Sequence, residues 1–209
     1  MNAEANLEWS SRDEKFSFDV RRSIILGFYM HEWGMPEYRL IASNSKNNTY
    51  VEVYYFPAGN NFNVSRFSTI GLSVARRSSG ETVGAEWMLA LTPDLGGSSR
   101  DRVLNYMVDL IAHHMKNSET TTAPLVMPES KIAPSEWKAK GLLIDELRGE
   151  NEILENIKVG DEPVPVLWVI PITGDEVDVI DNQGLEKFDE LIEKASYSIV
   201  DPRRASYFV

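Results

Sequence analysis

The chain contains no cysteine. Disulfides, thiolate metal sites and cysteine nucleophiles are thereby excluded, and the absence fits a reducing compartment. Histidine is almost as scarce, with 3 in 209 residues, which leaves few imidazoles from which to build a metal centre. Long apolar runs are also missing. The longest nearly uncharged stretch, Val164 to Thr173, holds two prolines and falls far short of the roughly 20 residues a spanning helix needs. Residues 1–12 are polar and carry no apolar signal-peptide core. No Gly/Ser-rich or Pro-rich linker separates two halves. The expectation is a cytoplasmic protein with one domain over residues 1–209 and a core of about 13–206.

Positive charge is in short supply as well. Lys and Arg number 21 against 32 Asp and Glu, a net charge of −11. Residues 1–104 carry 12 acidic and 11 basic side chains, and residues 105–209 carry 20 and 10. Such a surface repels nucleic-acid phosphates and anionic membranes, since it offers no counterion release. It attracts a basic protein and speeds the encounter. The plainer reading is that the acidity keeps the protein in solution.

What is present is material for a core. Hydrophobic residues make up 43% of the chain, with 5 Trp, 8 Tyr and 8 Phe. Residues 13–33 read as a helix with Val20, Ile24, Ile25 and Phe28 on its apolar face and Arg21 and Arg22 elsewhere. Gly34 and Pro36 stop it. Strands are expected at Tyr38–Ser43, Tyr50–Phe56, Phe67–Ala75 and Val83–Thr92, the last two as a hairpin. A helix follows over Ser99–Lys116, with a capping box from Ser98 and Asp101. Residues 117–136 read as a loop with at most a short strand at Leu125–Met127. Gly141–Leu147, Ile153–Val159 and the apolar Val164–Ile172 read as strands, the last covered on both faces. Thr173 and Glu176 form a second capping box, Gly184 separates two helices, and Tyr197–Val200 reads as a final strand. The sum is an α+β fold, a mixed and largely antiparallel sheet with helices packed on it.

Several residue groups could carry chemistry. Gly71-Leu72-Ser73-Val74-Ala75 approximates a nucleophile elbow, but a turn and a strand follow it where a helix is required. His113 and His114 diverge by about 100° on a helix. Asp109 and His113 could share an ion, yet spacing places no further ligand, and two surface histidines near a helix C-terminus are the simpler reading. Gly96-Gly97-Ser98 sits at a helix start, where an anion or a plain capped turn would fit. The acidic pairs Asp145-Glu146, Asp161-Glu162 and Asp175-Glu176 could face one another as in a glycosidase. Sequence does not select a pair. Trp9, Trp33, Trp87, Trp137 and Trp168 include core residues. Trp168 lies in an apolar strand, whereas Trp137 lies in a loop-like stretch and would serve as a binding anchor if exposed.

The order of certain segments carries a resemblance. Val166 to Glu176 reads V-L-W-V-I-P-I-T-G-D-E, Gly184 opens the next helix, and Asp201-Pro202-Arg203-Arg204 closes the pattern. Upstream, Gly34-Met35-Pro36, Tyr50–Pro57, Thr69-Ile70-Gly71-Leu72-Ser73 and Glu86–Thr92 fall in matching order. Over about residues 20–206 the chain resembles the suppressor of fused domain, in its short bacterial single-domain form. Leu72 stands where a Met is usual, a volume-conserving change. The resemblance implies a protein-binding role. Animal relatives hold a transcription factor inactive, and bacterial members resemble immunity proteins that neutralise a toxin. It implies no catalytic residue and no cofactor. The expected function is therefore a non-enzymatic inhibitory module, most concretely an immunity protein that occludes a basic toxin domain. The alternatives are a regulatory protein that takes a peptide by strand addition and a carboxylate-based hydrolase. The expected contact residues are Asp145, Glu146, Asp161, Glu162 and Trp137.

Overall fold

The structure, a computed structural model, describes residues 11–44, 49–59, 63–117, 123–196 and 198–208. Helix α1 (Arg12–Trp33) begins at Ser11, whose hydroxyl accepts from Glu14 N, and ends at Gly34 with φ of 84°. Its buried face is Phe18, Arg21, Ile25, Tyr29 and Trp33. This corrects the expected face: Val20 is 41% exposed and Arg21 is inside. The reason is a paired cation. Arg21 reaches Ser73 Oγ at 3.2 Å and bonds the Glu162 carboxylate, so its head is satisfied while its stem packs.

Strands β1 (Tyr38–Asn44) and β2 (Thr49–Phe56) follow, then β3 (Ser65–Ile70) and β4 (Glu86–Leu91). The expected hairpin of β3 with β4 forms. However, β3 ends before Ala75, because Gly71 turns the chain at φ of 97°. Helix α2 (Arg100–Asn117) is capped by Ser99, whose Oγ accepts from Arg102 N at 3.3 Å. The expected box of Ser98 and Asp101 does not form, as Asp101 pairs with Arg100. The short strand β5 (Leu125–Met127) is present, followed by β6 (Gly141–Glu146). The stretch Ile153–Val159 is not one strand. It divides into a 3-10 turn and β7 (Ile157–Val159), which pairs with β8 (Glu162–Val164) in a separate ribbon. Strand β9 (Val166–Ile172) and helices α3 (Gly174–Gln183) and α4 (Leu185–Lys194) complete the elements. The expected strand Tyr197–Val200 is absent over Ser198–Val200, which turn, and Tyr197 lies outside the described residues.

The main sheet has seven strands in the order β1-β2-β3-β4-β9-β6-β5. All pairs are antiparallel except β4 with β9. The fold class is the α+β arrangement expected. Side chains alternate between two layers, as strand geometry requires. Trp87, Leu89 and Leu91 of β4 join α2, whereas Met88 and Ala90 join α1. On β9, Val169 joins the α2 layer, while Val166, Trp168, Ile170 and Ile172 join the layer of α1, α3 and α4. The middle strands are thus covered on both faces, and every residue of β3 and β4 is buried. No helix of the described residues is long and apolar enough to cross a membrane.

Two glycines test this packing with opposite signs. A Cβ on Gly71 would lie 2.7 Å from both the Phe18 ring and Tyr50 O, at a positive φ. A Cβ on Gly27, within α1, would meet nothing within 4 Å. In urea unfolding, Gly71→Ala is expected to destabilise by about 2–3 kcal/mol. Gly27→Ala is expected to stabilise by up to about 1 kcal/mol.

Candidate functional site

The elbow-like segment is a carboxylate cradle. Glu86 is fully buried. Its oxygens accept from Thr69 Oγ1 at 2.7 Å, Gly71 N at 2.9 Å, Leu72 N at 3.1 Å, and Ser73 N and Oγ at 3.2 and 2.7 Å. Ser73 therefore gives its proton to a carboxylate and accepts from Arg21. It is bound into the turn rather than presented as a nucleophile.

The acidic pairs divide by environment. Asp145 is buried and bonds Arg148, which also reaches Asp189 of α4 at 2.5 Å. Glu162 bonds Arg21 of α1. Glu146 and Asp161 are exposed. The two pairs thus brace different helices. Asp175 is exposed, while Glu176 is fully inside and closes the capping box by accepting from Thr173 N at 2.9 Å. Glu176 also takes Arg204 in a bidentate pair at 2.5 and 2.8 Å and accepts from Tyr207 N at 3.0 Å. The closing segment is thereby tied to the start of α3.

Trp137 is 2% exposed, which removes it as a contact anchor. It lies edge-on to Tyr106 with centroids 5.3 Å apart. A Cβ on Gly96 would come 2.9 Å from its Nε1 and 2.5 Å from Pro202 Cγ. The Gly96 turn is therefore filled by the chain itself and has no space for an anion at that point. Lys138 N and Ala139 N donate to Pro202 O, both at 2.9 Å. Trp168 is likewise buried, and Trp9 lies outside the described residues.

The histidines separate. His113 is exposed and approaches Asn117. His114 corrects the expectation of a second surface imidazole: it is 1% exposed and lies edge-on to Trp87 at 4.8 Å. Burial, with Arg77 and His113 nearby, lowers its pKa to about 4. Among the described residues, no group of three or more His, Asp or Glu could hold a metal ion.

The surface that remains open is an edge of the sheet. β5, at one end, has three residues and is flanked by Pro124 and Pro128. Short length and proline are the usual protections of an edge. β1, at the other end, has seven residues, no proline and one charge, Arg39. Among the described residues no strand pairs with its outer side. Tyr38 and Ile41 are 42% and 41% exposed, and neighbouring Met35 is 70% exposed.

Both faces of β1 are braced. On one, Leu40 and Ala42 pack against the α2 core, and the Arg100 guanidinium lies 4.4 Å over the Tyr38 ring. On the other, Arg39 bonds the fully buried Glu52 at 2.8 Å. Glu52 also accepts from Tyr50 OH at 2.9 Å and Tyr54 OH at 2.5 Å, with Arg22 of α1 at 3.6 Å. Burial and the bond to Glu52 push the Tyr54 phenol up to about 12, so it stays a donor. Among the described residues β1 is therefore a sheet edge without a strand on its outer side and packed on both faces. Sequence reasoning found the strand but not its place. The only local signal was a lone Glu within the aromatic run Tyr50–Phe56.

Comparison with known proteins bears on the fold. The family model described as Suppressor of fused protein (SUFU) matches residues 47–205. Among curated proteins nothing matches. Three solved structures are similar. A suppressor of fused homolog from Neisseria gonorrhoeae has a TM-score of 0.69 at 14% identity, over 90% of this chain and 97% of that one. A chain of the Sufu–Fu complex has a TM-score of 0.61 at 14% identity, over 90% and 92%. Drosophila Suppressor of Fused has a TM-score of 0.52 at 15% identity, over 76% of this chain and 43% of that one.

The Glu176–Arg204 pair gives a direct test of bracing. Arg204→Met leaves a buried carboxylate with one strong partner fewer, and a loss of about 3–5 kcal/mol in urea unfolding is expected. Adding Glu176→Gln should recover part of that loss. If the two losses simply add, the pair is not coupled as the geometry indicates.

Proposed function

We propose that this chain, which belongs to the suppressor of fused (SUFU) family, is a non-enzymatic module that binds an extended segment of a partner protein along the outer side of β1. The observation that carries this reading is the seven-residue open edge with Tyr38 and Ile41 exposed. Main-chain hydrogen bonds to such an edge supply affinity, and side-chain pockets on alternate positions supply selectivity. The mating of a similar chain with Fu in the Sufu–Fu complex supports a protein as the ligand.

A second reading concerns the consequence of binding. Occlusion of a basic toxin domain by an immunity protein rests on the net charge of −11 and its concentration in residues 105–209. Among the expected contacts, Glu146 and Asp161 are exposed and available to it, whereas Asp145 and Glu162 hold Arg148 and Arg21. Trp137 is withdrawn from the contact set by its burial.

The two readings separate by substitution. With the partner retained at one-to-one stoichiometry from the native host, Ile41→Lys is expected to weaken binding at least about tenfold by calorimetry, since a charge blunts an edge. Glu146→Gln with Asp161→Asn is expected to change the on-rate and its salt dependence more than the off-rate. Full affinity in Ile41→Lys, together with loss in the acid variant, would move the site from the edge to the acidic surface.

A further inference from the structure

His114 differs from the buried carboxylates of the fold. Glu52, Glu86 and Glu176 each accept several hydrogen bonds. The ring nitrogens of His114 have no partner among the described residues, although the residue is 1% exposed. The ring borders a cavity of about 10 Å3 lined by Val83, Trp87, Ala123, Leu125, Ile144 and Leu167. That is room for about one water. The walls from β4, β6 and β9 are held within the sheet. The wall at Leu125 belongs to the three-residue edge strand β5, which pairs with β6 alone, and Ala123 lies just ahead of that strand.

We infer that His114 is an acid-operated latch beneath β5: a solvent proton taken up by its ring expels Leu125–Met127 from the sheet and uncovers the outer edge of β6. The charged groups around the ring oppose the proton. Arg77, in the turn that precedes β4, is buried and pairs with Glu81 at 2.6 Å. His113 and Lys116 lie on α2 itself. The facing residues of β4, β5, β6 and β9 are apolar. Among the described residues an imidazolium there has no carboxylate to pair with, and room for about one water is too little to hydrate it, so its relief is to open the weakest wall. The device does not depend on the binding role of β1.

The direction with pH follows from linkage. The pKa in the closed state is about 4, below the roughly 6.5 of a solvated histidine. The closed state is thus unaffected above about pH 6.5 and loses stability as pH falls toward 4, because the open state binds the extra proton. From pH 7.5 to 5.5 the opening equilibrium should rise about tenfold, and by pH 5 about 25-fold.

Hydrogen exchange of the full chain, corrected for intrinsic rates, measures this opening. Amides of Leu125–Met127 and of Leu142–Ile144 should lose about tenfold in protection between pH 7.5 and 5.5, while those of β3 and β4 hold. His114→Phe and His114→Gln should each flatten the response, and the second variant covers a failure of the first to fold. Unchanged protection in the wild type overturns the latch. So does an equal loss in both variants, which would assign the effect to carboxylates. A loss spread across the whole sheet would show global unfolding and overturn it equally.

Discussion

Glu86 imposes the constraint on which the middle of the molecule depends. A carboxylate buried between β3 and β4 must find donors, or its desolvation would exceed what folding can offset. It finds five, and four of them come from residues 71–73. That demand bends the chain at Gly71, ends β3 there and brings Ser73 under Arg21. Arg21 in turn reaches Glu162, so α1 and the β7–β8 ribbon are located by the same chain of contacts.

Glu52 and Glu176 repeat the device at two other places. Glu52 collects Arg39 and two tyrosines beside α1, and Glu176 collects Arg204 and backbone donors at the start of α3. These bonds also redress the uneven charge of the chain. Arg21, Arg66 and Arg102 belong to the first half and pair with Glu162, Glu150 and Glu136 of the second. The acidity visible in the sequence is therefore partly internal bracing rather than contact surface. The residue groups that looked chemical turn out to be the ones most engaged in structure, and the unengaged surface is a backbone edge.

The elements with strong local signals were legible. α1, α2, β2 and β9 sit within one or two residues of their expected bounds, because periodicity and cap residues state them directly. The face of α1 departs from the periodic pattern because charged residues ordinarily point outward, and a long-range acid, Glu162, reverses that rule for Arg21. β3 is shorter than its β-rich sequence because Gly71 marks a turn only when Glu86 is there to fill it. Trp137 looked loop-like for want of periodicity, yet Gly96 and Pro202, both far away in sequence, enclose it. The candidate site was the least legible part. Residues Tyr38–Ser43 read correctly as a strand, but edge position is set by strand order, and strand order is a property of the whole chain.

The same consideration gives the edge its meaning. β5 is shortened and set between prolines, whereas β1 is long, nearly uncharged and stiffened on both faces by Arg100 over Tyr38 and Glu52 under Arg39. A template of that kind can accept an extended segment with little ordering cost on its own side. The most direct measurement is hydrogen exchange of the chain with and without its captured partner. New protection centred on Tyr38–Asn44 is the predicted result. Protection confined to the exposed acids around Glu146 and Asp161, with β1 amides unchanged, would contradict the account.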